Sequence, residues 1–223
     1  MNRLHGQKGY TLIELMIGLL VGLIVLSGVL YAFLSALIGS RDIVNSSRLN
    51  AELSTLSGLI TGEVRRAGYW SSTVASAASP FKNGTETDLA IIGGDCILVS
   101  YDRDEDRVID DDERVGFKWV SAAGSSYISR KVSGALMSDC TDGSWSPITD
   151  PEFLSITGFV VSSGSSPGGD CATLASGACA SASSRVIVRF VDVELTAEVK
   201  DAVDWKGRFS ESIRVSNNLI YEP

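Results

Sequence analysis

The sequence predicts an α+β fold: a long N-terminal α-helix packed on an antiparallel β-sheet domain. Three observations predict it. Leu15 to Ser40 is a run of 26 residues without one charged side chain. No proline occurs before Pro80, so nothing forces a break in the helix that this run begins. Beyond Gly68 the pattern changes to short branched and aromatic runs separated by Gly, Ser, Asp and Asn, which is how strands and turns read.

The uncharged run would span about 39 Å as a helix, against a bilayer core of roughly 30 Å. It is preceded by a short leader, Met1 to Gly9, which carries Arg3, Lys8 and the single histidine, His5. A basic leader favours a cytoplasmic N-terminus, with everything after Arg41 on the outer side of the membrane. Secretory signals place their small-residue cleavage site after the apolar segment. Here the small residue, Gly9, stands in front of it, so a cut after Gly9 would leave the helix on the mature chain as an anchor. One carboxylate, Glu14, sits at the entrance to the run, where a charge is costly and needs a partner or a role.

Gly9, Tyr10 and Glu14, placed before an uncharged run at the N-terminus, resemble the type IV prepilin signature. The resemblance implies a dedicated prepilin peptidase that cuts after Gly9 and N-methylates the exposed residue, here Tyr10 where phenylalanine is usual. It implies that Glu14 pairs with a neighbouring subunit's N-terminal amine during assembly. It also implies the pilin-like lollipop: a helix whose first half is transmembrane, carrying a β-rich head.

The helix is expected to continue to about Arg66. Leu49, Leu53, Leu56, Ile60 and Val64 recur every three or four residues and form one apolar stripe, while Arg48, Glu52, Glu63 and Arg65 are read as lying on other faces. Gly58 and Gly62 each cost about 1 kcal/mol in helix propensity, so local irregularity is expected there. Gly18 and Gly22 form a GxxxG step suited to close helix packing. The resulting division is a leader at 1–9, a transmembrane or filament-core helix at 10–40, its amphipathic continuation at 41–67, and a periplasmic or extracellular head domain at 68–223.

Within the head the expected strands are Leu89–Ile92, Cys96–Tyr101, Arg114–Val120, Tyr127–Val132, Phe153–Val161, Arg185–Val199 and Phe209–Val215. Arg185 to Leu195 has the clearest period-two alternation. Ser162 to Ser184 is rich in Ser, Gly and Ala and reads as a long surface loop.

The formal charge is −8, and loss of Arg3 and Lys8 with the leader makes the side-chain charge −10. An acidic chain does not suit non-specific nucleic-acid binding, and none is expected. All four cysteines, Cys96, Cys140, Cys171 and Cys179, lie in the expected exported domain. An even count in an oxidising compartment reads as two disulfides. Cys171 with Cys179 would close a short loop, leaving Cys96 with Cys140; sequence alone allows three pairings. A zinc site is the other reading, but the spacing lacks paired C-x-x-C ligands and no histidine is at hand.

A second motif is Asp102 to Glu113. Set against the twelve-residue EF-hand loop, Asp102, Asp104 and Asp106 fall at positions one, three and five, the Val108 carbonyl at seven, Ile109 at the apolar position, Asp110 at nine and Glu113 at twelve. Hard oxygen ligands at this spacing suit Ca2+. Arg107 stands where glycine normally makes the sharp turn, and the flanks read as strands rather than helices.

Arg65-Arg66-Ala67-Gly68-Tyr69-Trp70, then Cys96 to Asp102, the acidic loop and Glu113 to Phe117 are together similar to the PilW type of minor pilin, a relative of the J-type pseudopilins of type II secretion. Many major pilins carry a proline in the outer part of the membrane helix, which is lacking here. The resemblance implies a low-abundance subunit of a priming or tip complex that supports pilus assembly for twitching motility, adhesion or DNA uptake. Its implied partners are other minor pilins, the major pilin, the prepilin peptidase/N-methyltransferase and the inner-membrane assembly platform. Its implied location is the inner membrane, then the pilus or cell surface. A J-type pseudopilin is the alternative, and a tip adhesin that uses the Ser/Gly stretch is the second. No enzyme is expected: the one histidine leaves with the leader, which removes Ser-His-Asp and Cys-His arrangements.

Overall fold

The computed structural model describes residues 9–71, 79–81, 84–122, 124–170, 185–200, 202–217 and 219–221. One α-helix lies among them: α1 runs unbroken from Leu12 to Arg66, 55 residues or about 83 Å at 1.5 Å per residue. Thr11 caps it, its Oγ1 accepting the Glu14 N–H at 3.3 Å. Glu14 in the first turn and Arg65 and Arg66 in the last both complement the helix dipole. Gly68 ends it at φ 73°, the left-handed conformation that closes helices without a Cβ penalty. A Cβ at Gly68 would also come within 2.6 Å of Asp88 Oδ2.

The chain divides into two units, residues 1–47 and 48–223, and α1 contributes to both. In the first unit every large apolar side chain of the helix is at least 45% exposed. This is the one helix among the described residues long and apolar enough to cross a membrane.

The second unit is a head with its own core. One antiparallel sheet has five strands in the order β1 (Leu89–Ile92), β2 (Cys96–Ser100), β3 (Arg114–Ala122), β4 (Ser125–Ser133) and β5 (Ser144–Pro147). The other runs β6 (Leu154–Asp170), β7 (Arg185–Val199), β8 (Ala202–Arg214), with β9 (Leu219–Tyr221) pairing with the start of β7. Leu49, Leu53, Leu56, Ile60 and Val64 of α1 form one buried cluster with Ile97, Val99, Val115, Phe117 and Ile128 from the first sheet and Leu154, Phe159, Val193, Leu195 and Ile213 from the second. The core thus has a helix and two sheets as its walls, the minimum arrangement in which a helix stripe and two half-apolar sheets all lose their water. β7 shows the logic residue by residue: Val191, Val193, Leu195, Ala197 and Val199 are buried, and the polar residues between them are not. At Gly207 of β8 the helix comes so close that a Cβ would lie 2.3 Å from Leu53 Cδ1.

β2 is buried on both faces. Ile97 and Val99 enter the main core, while Cys96 and Leu98 join Met137 in a second, smaller cluster. The Cys96–Cys140 disulfide seals that cluster, with a Cα–Cα distance of 6.6 Å. It pins the loop between β4 and β5, where the fully buried Lys131 donates to the Leu136 carbonyl at 2.7 Å and to Asp142 Oδ2 at 3.3 Å. Hydrogen bonding from the Leu136 N–H, and then from Lys131, holds the Asp142 carboxyl below its usual range. The Cys171–Cys179 pairing lies outside the described residues.

The expected antiparallel β-sheet domain is built as two sheets, because β6 to β9 pair among themselves. Two expectations within the head need correction. The Ser/Gly stretch is strand as far as Asp170: β6 pairs with β7 from Leu154↔Val199 through Asp170↔Arg185, the long β7 supplying backbone partners that composition does not reveal. Short β5 and β9 carry too few branched residues to announce themselves. Glu63 lies on the buried face of α1, only 6% exposed, where Tyr101 Oη donates to Oε2 at 2.6 Å and Arg130 Nη2 pairs with Oε1 at 3.0 Å.

Candidate functional site

Two places carry chemistry that the core does not use. The first is the start of α1. Gly9 has no positive φ, and a Cβ there would meet nothing within 4 Å, so the fold makes no demand for glycine at this position. Tyr10 is 77% exposed. Thr11 and Glu14 have the spacing of a capping box, but only the Thr11 half forms. The Glu14 carboxylate makes no hydrogen bond and no ion pair among the described residues. It therefore stands, exposed, at the head of an apolar helix whose large apolar side chains are bare from Leu12 to Val44. Leader residues Arg3, His5 and Lys8 lie outside the described residues.

The second place is the loop between β2 and β3. Asp102 is fully buried. Its N–H donates to the Tyr69 carbonyl at 2.9 Å. Its Oδ2 accepts the N–H groups of Ser71 at 3.2 Å and Arg107 at 3.3 Å. The loop is thereby tied to the chain that leaves the end of α1. Asp104 and Asp106 extend from it, and carboxylate oxygens of Asp102, Asp104 and Asp106 lie within 4.8 Å of one another. Asp104 Oδ1 accepts the Asp106 N–H at 3.3 Å, and Asp106 Oδ1 accepts the Val108 N–H at 2.8 Å. Glu105 and Arg107 hold φ values of 68° and 69°. Arg107 thus adopts the left-handed turn that glycine makes at this position of an EF-hand loop, although side-chain residues rarely do.

Of the residues read as ligands, the structure brings together Asp102, Asp104 and Asp106 and leaves Asp110 and Glu113 outside the cluster. Glu113, buried on a single 3-10 turn (Asp111–Glu113), instead holds the loop's backbone. Its Oε1 accepts the N–H groups of Arg103 and Asp104, and its Oε2 accepts that of Asp110 at 3.1 Å. Val108, read as a carbonyl ligand, is exposed, and its N–H donates to Asp106. Tyr69 Oη donates to Glu105 Oε1 at 3.1 Å, a bond that raises the phenol's pKa above its ordinary value. The contributions of Tyr69 and Ser71 were not legible beforehand, because they act through backbone atoms about thirty residues away in sequence.

Family models match both ends of this arrangement. One described as the prokaryotic N-terminal methylation motif covers residues 4–30, and one described as prepilin peptidase-dependent protein B covers residues 42–215. No curated protein and no solved structure matches the chain. The first match lies on the exposed apolar start of α1; the second runs through its buried part and both sheets, including the acidic loop. The chain therefore belongs to the prepilin peptidase-dependent protein B family and is a type IV pilin-like protein processed by prepilin peptidase.

Proposed function

We propose that this protein is a minor pilin of the PilW type, cut after Gly9, methylated on Tyr10, and built into a priming or tip complex of a type IV pilus. The observation that carries this reading is the Glu14 carboxylate, exposed and unpartnered among the described residues at the head of a bare apolar helix. A charge in that position needs a counter-charge once the helix enters an apolar environment. A neighbouring subunit's N-terminal amine supplies one, and exists at the right depth only after removal of the leader. The unconstrained Gly9 fits the same account, since a peptidase pocket gives a reason for glycine where packing gives none. Before assembly the chain would sit in the inner membrane, N-terminus inside and head outside, in contact with the assembly platform, the other minor pilins and the major pilin. The lack of proline throughout α1 supports a minor rather than a major subunit.

The test is a deletion strain complemented with wild-type or Glu14→Ala protein, scored for surface pili with and without retraction and for secreted enzymes. Loss of pili in the deletion, restored by wild type and not by processed Glu14→Ala protein, is the expected result. Intact pili with impaired secretion would place the protein in a secretion pseudopilus instead.

A further inference from the structure

We propose that Asp102, Asp104 and Asp106 form a calcium site that locks the β2–β3 loop to the end of α1. Clustered surface carboxylates are by themselves no evidence of a metal. Here a second observation points to a ligand: Asp102 is fully buried, and its Oδ1 has no hydrogen-bond partner among the described residues. A carboxylate oxygen removed from water and given no donor is a costly arrangement, which a bound cation resolves. The same side chain forms one corner of the three-carboxylate cluster.

The nearby cations of the loop are otherwise engaged. Arg103 pairs with Asp112, and Arg107 donates its Nε to the Ser71 carbonyl at 3.0 Å. Among the described residues no ion pair reaches Asp102, Asp104 or Asp106, so no directly paired side chain offsets their mutual repulsion. Asp104 and Asp106 each keep one oxygen free of hydrogen bonds among the described residues, their Oδ1 atoms accepting loop N–H groups. The donor set is therefore all hard oxygen, from three carboxylates on alternate residues, with water to complete the shell. That chemistry takes calcium, which accepts six to eight oxygens in a flexible geometry, in preference to magnesium, which demands a near-ideal octahedron.

The consequence is structural. Asp102 is anchored to Tyr69 and Ser71, whereas Asp104 and Asp106 are exposed. An ion bridging them would fix the exposed half of the loop to the buried half, and Arg103 and Arg107, both exposed, would lose access to proteases.

The test uses the full-length protein in detergent micelles, purified through a chelator, with calcium chloride or magnesium chloride as the probe. Trypsin cleavage after Arg103 and Arg107 is followed by mass spectrometry, and terbium luminescence sensitised by Tyr69 and Trp70 reports occupancy. Calcium at about 5 mM, above the roughly 10⁻⁴–10⁻³ M range of weak extracellular sites, is expected to slow cleavage at both arginines at least about tenfold. Magnesium at the same concentration is expected to slow it less than about twofold. The Asp104→Asn/Asp106→Asn variant, altered only at exposed positions so that the head still folds, should lose both the protection and the terbium signal. The Asp192→Asn/Asp204→Asn variant, altered at exposed acidic positions of β7 and β8, should keep both. Unchanged cleavage of the wild type in calcium, equal protection by magnesium, or retained protection in the Asp104→Asn/Asp106→Asn variant would each overturn the proposal.

Discussion

The two parts of α1 share one backbone geometry and face opposite demands. From Leu12 to Val44 its large apolar side chains lie open, Tyr31 at 78% exposure, and the polar atoms near them are few. From Leu49 to Val64 the apolar residues narrow to a single stripe, Ile60 at 0% exposure, and polar partners appear around it. Ser57 and Thr61 donate to Glu211 of β8 at 3.0 and 2.9 Å, and Glu63 pairs with Arg130 of β4. The outer part of the helix solves its solvation problem within the chain. The inner part leaves it to something outside the chain, a bilayer or other helices. Apolar content alone does not separate the two; the separation lies in whether polar residues interrupt the apolar surface every turn.

Three substitution pairs and one disulfide removal break or sharpen this comparison. The largest effect is expected for a carboxylate in the buried stripe. Ile60→Asp should abolish cooperative unfolding of the head, seen by circular dichroism, whereas Leu23→Asp should leave head unfolding unchanged and impair membrane insertion, at a cost of about 2.5–3.5 kcal/mol on insertion scales. Truncation comes next. Leu56→Ala should lower head stability by about 2–5 kcal/mol in denaturant titrations, and Leu26→Ala should not alter it measurably. Removal of the Cys96–Cys140 bridge by the double alanine variant should cost the head about 2–4 kcal/mol and leave helix insertion unaffected. The smallest contrast is between glycines. Gly207→Ala must displace Leu53 and should cost about 1–3 kcal/mol, while Gly28→Ala, open on all sides, should stabilise the helix in micelles by up to about 1 kcal/mol, seen as higher helix content. A Gly28→Ala chain that is more helical yet poorly assembled would show that neighbouring subunits use that bare glycine.

The sequence revealed most where one residue's environment is set by its near neighbours. The 3.6-residue stripe Leu49 to Val64, the alternation in β7 and the uncharged run are local periodicities, and each became the element it announced. Legibility failed where a partner lies far along the chain. Glu63 looked like a solvated charge because its partners, Tyr101 and Arg130, come from other elements. The Ser/Gly residues up to Asp170 looked like loop because their strand partner, β7, contributes backbone rather than side chains to the pairing. At the acidic loop the spacing of Asp102, Asp104 and Asp106 was readable. The diversion of Glu113 to three loop N–H groups was not, since it depends on the 3-10 turn that buries it.

The account rests on the open start of α1 being a processed and assembled end rather than a simple anchor. Intact-mass and N-terminal peptide spectrometry of the protein extracted from membranes tests this most directly. The account predicts a mature chain that begins at N-methylated Tyr10 and retains the whole of α1. A chain that still carries the leader through Gly9 in a strain with active prepilin peptidase, or one cut after the apolar run, would contradict it.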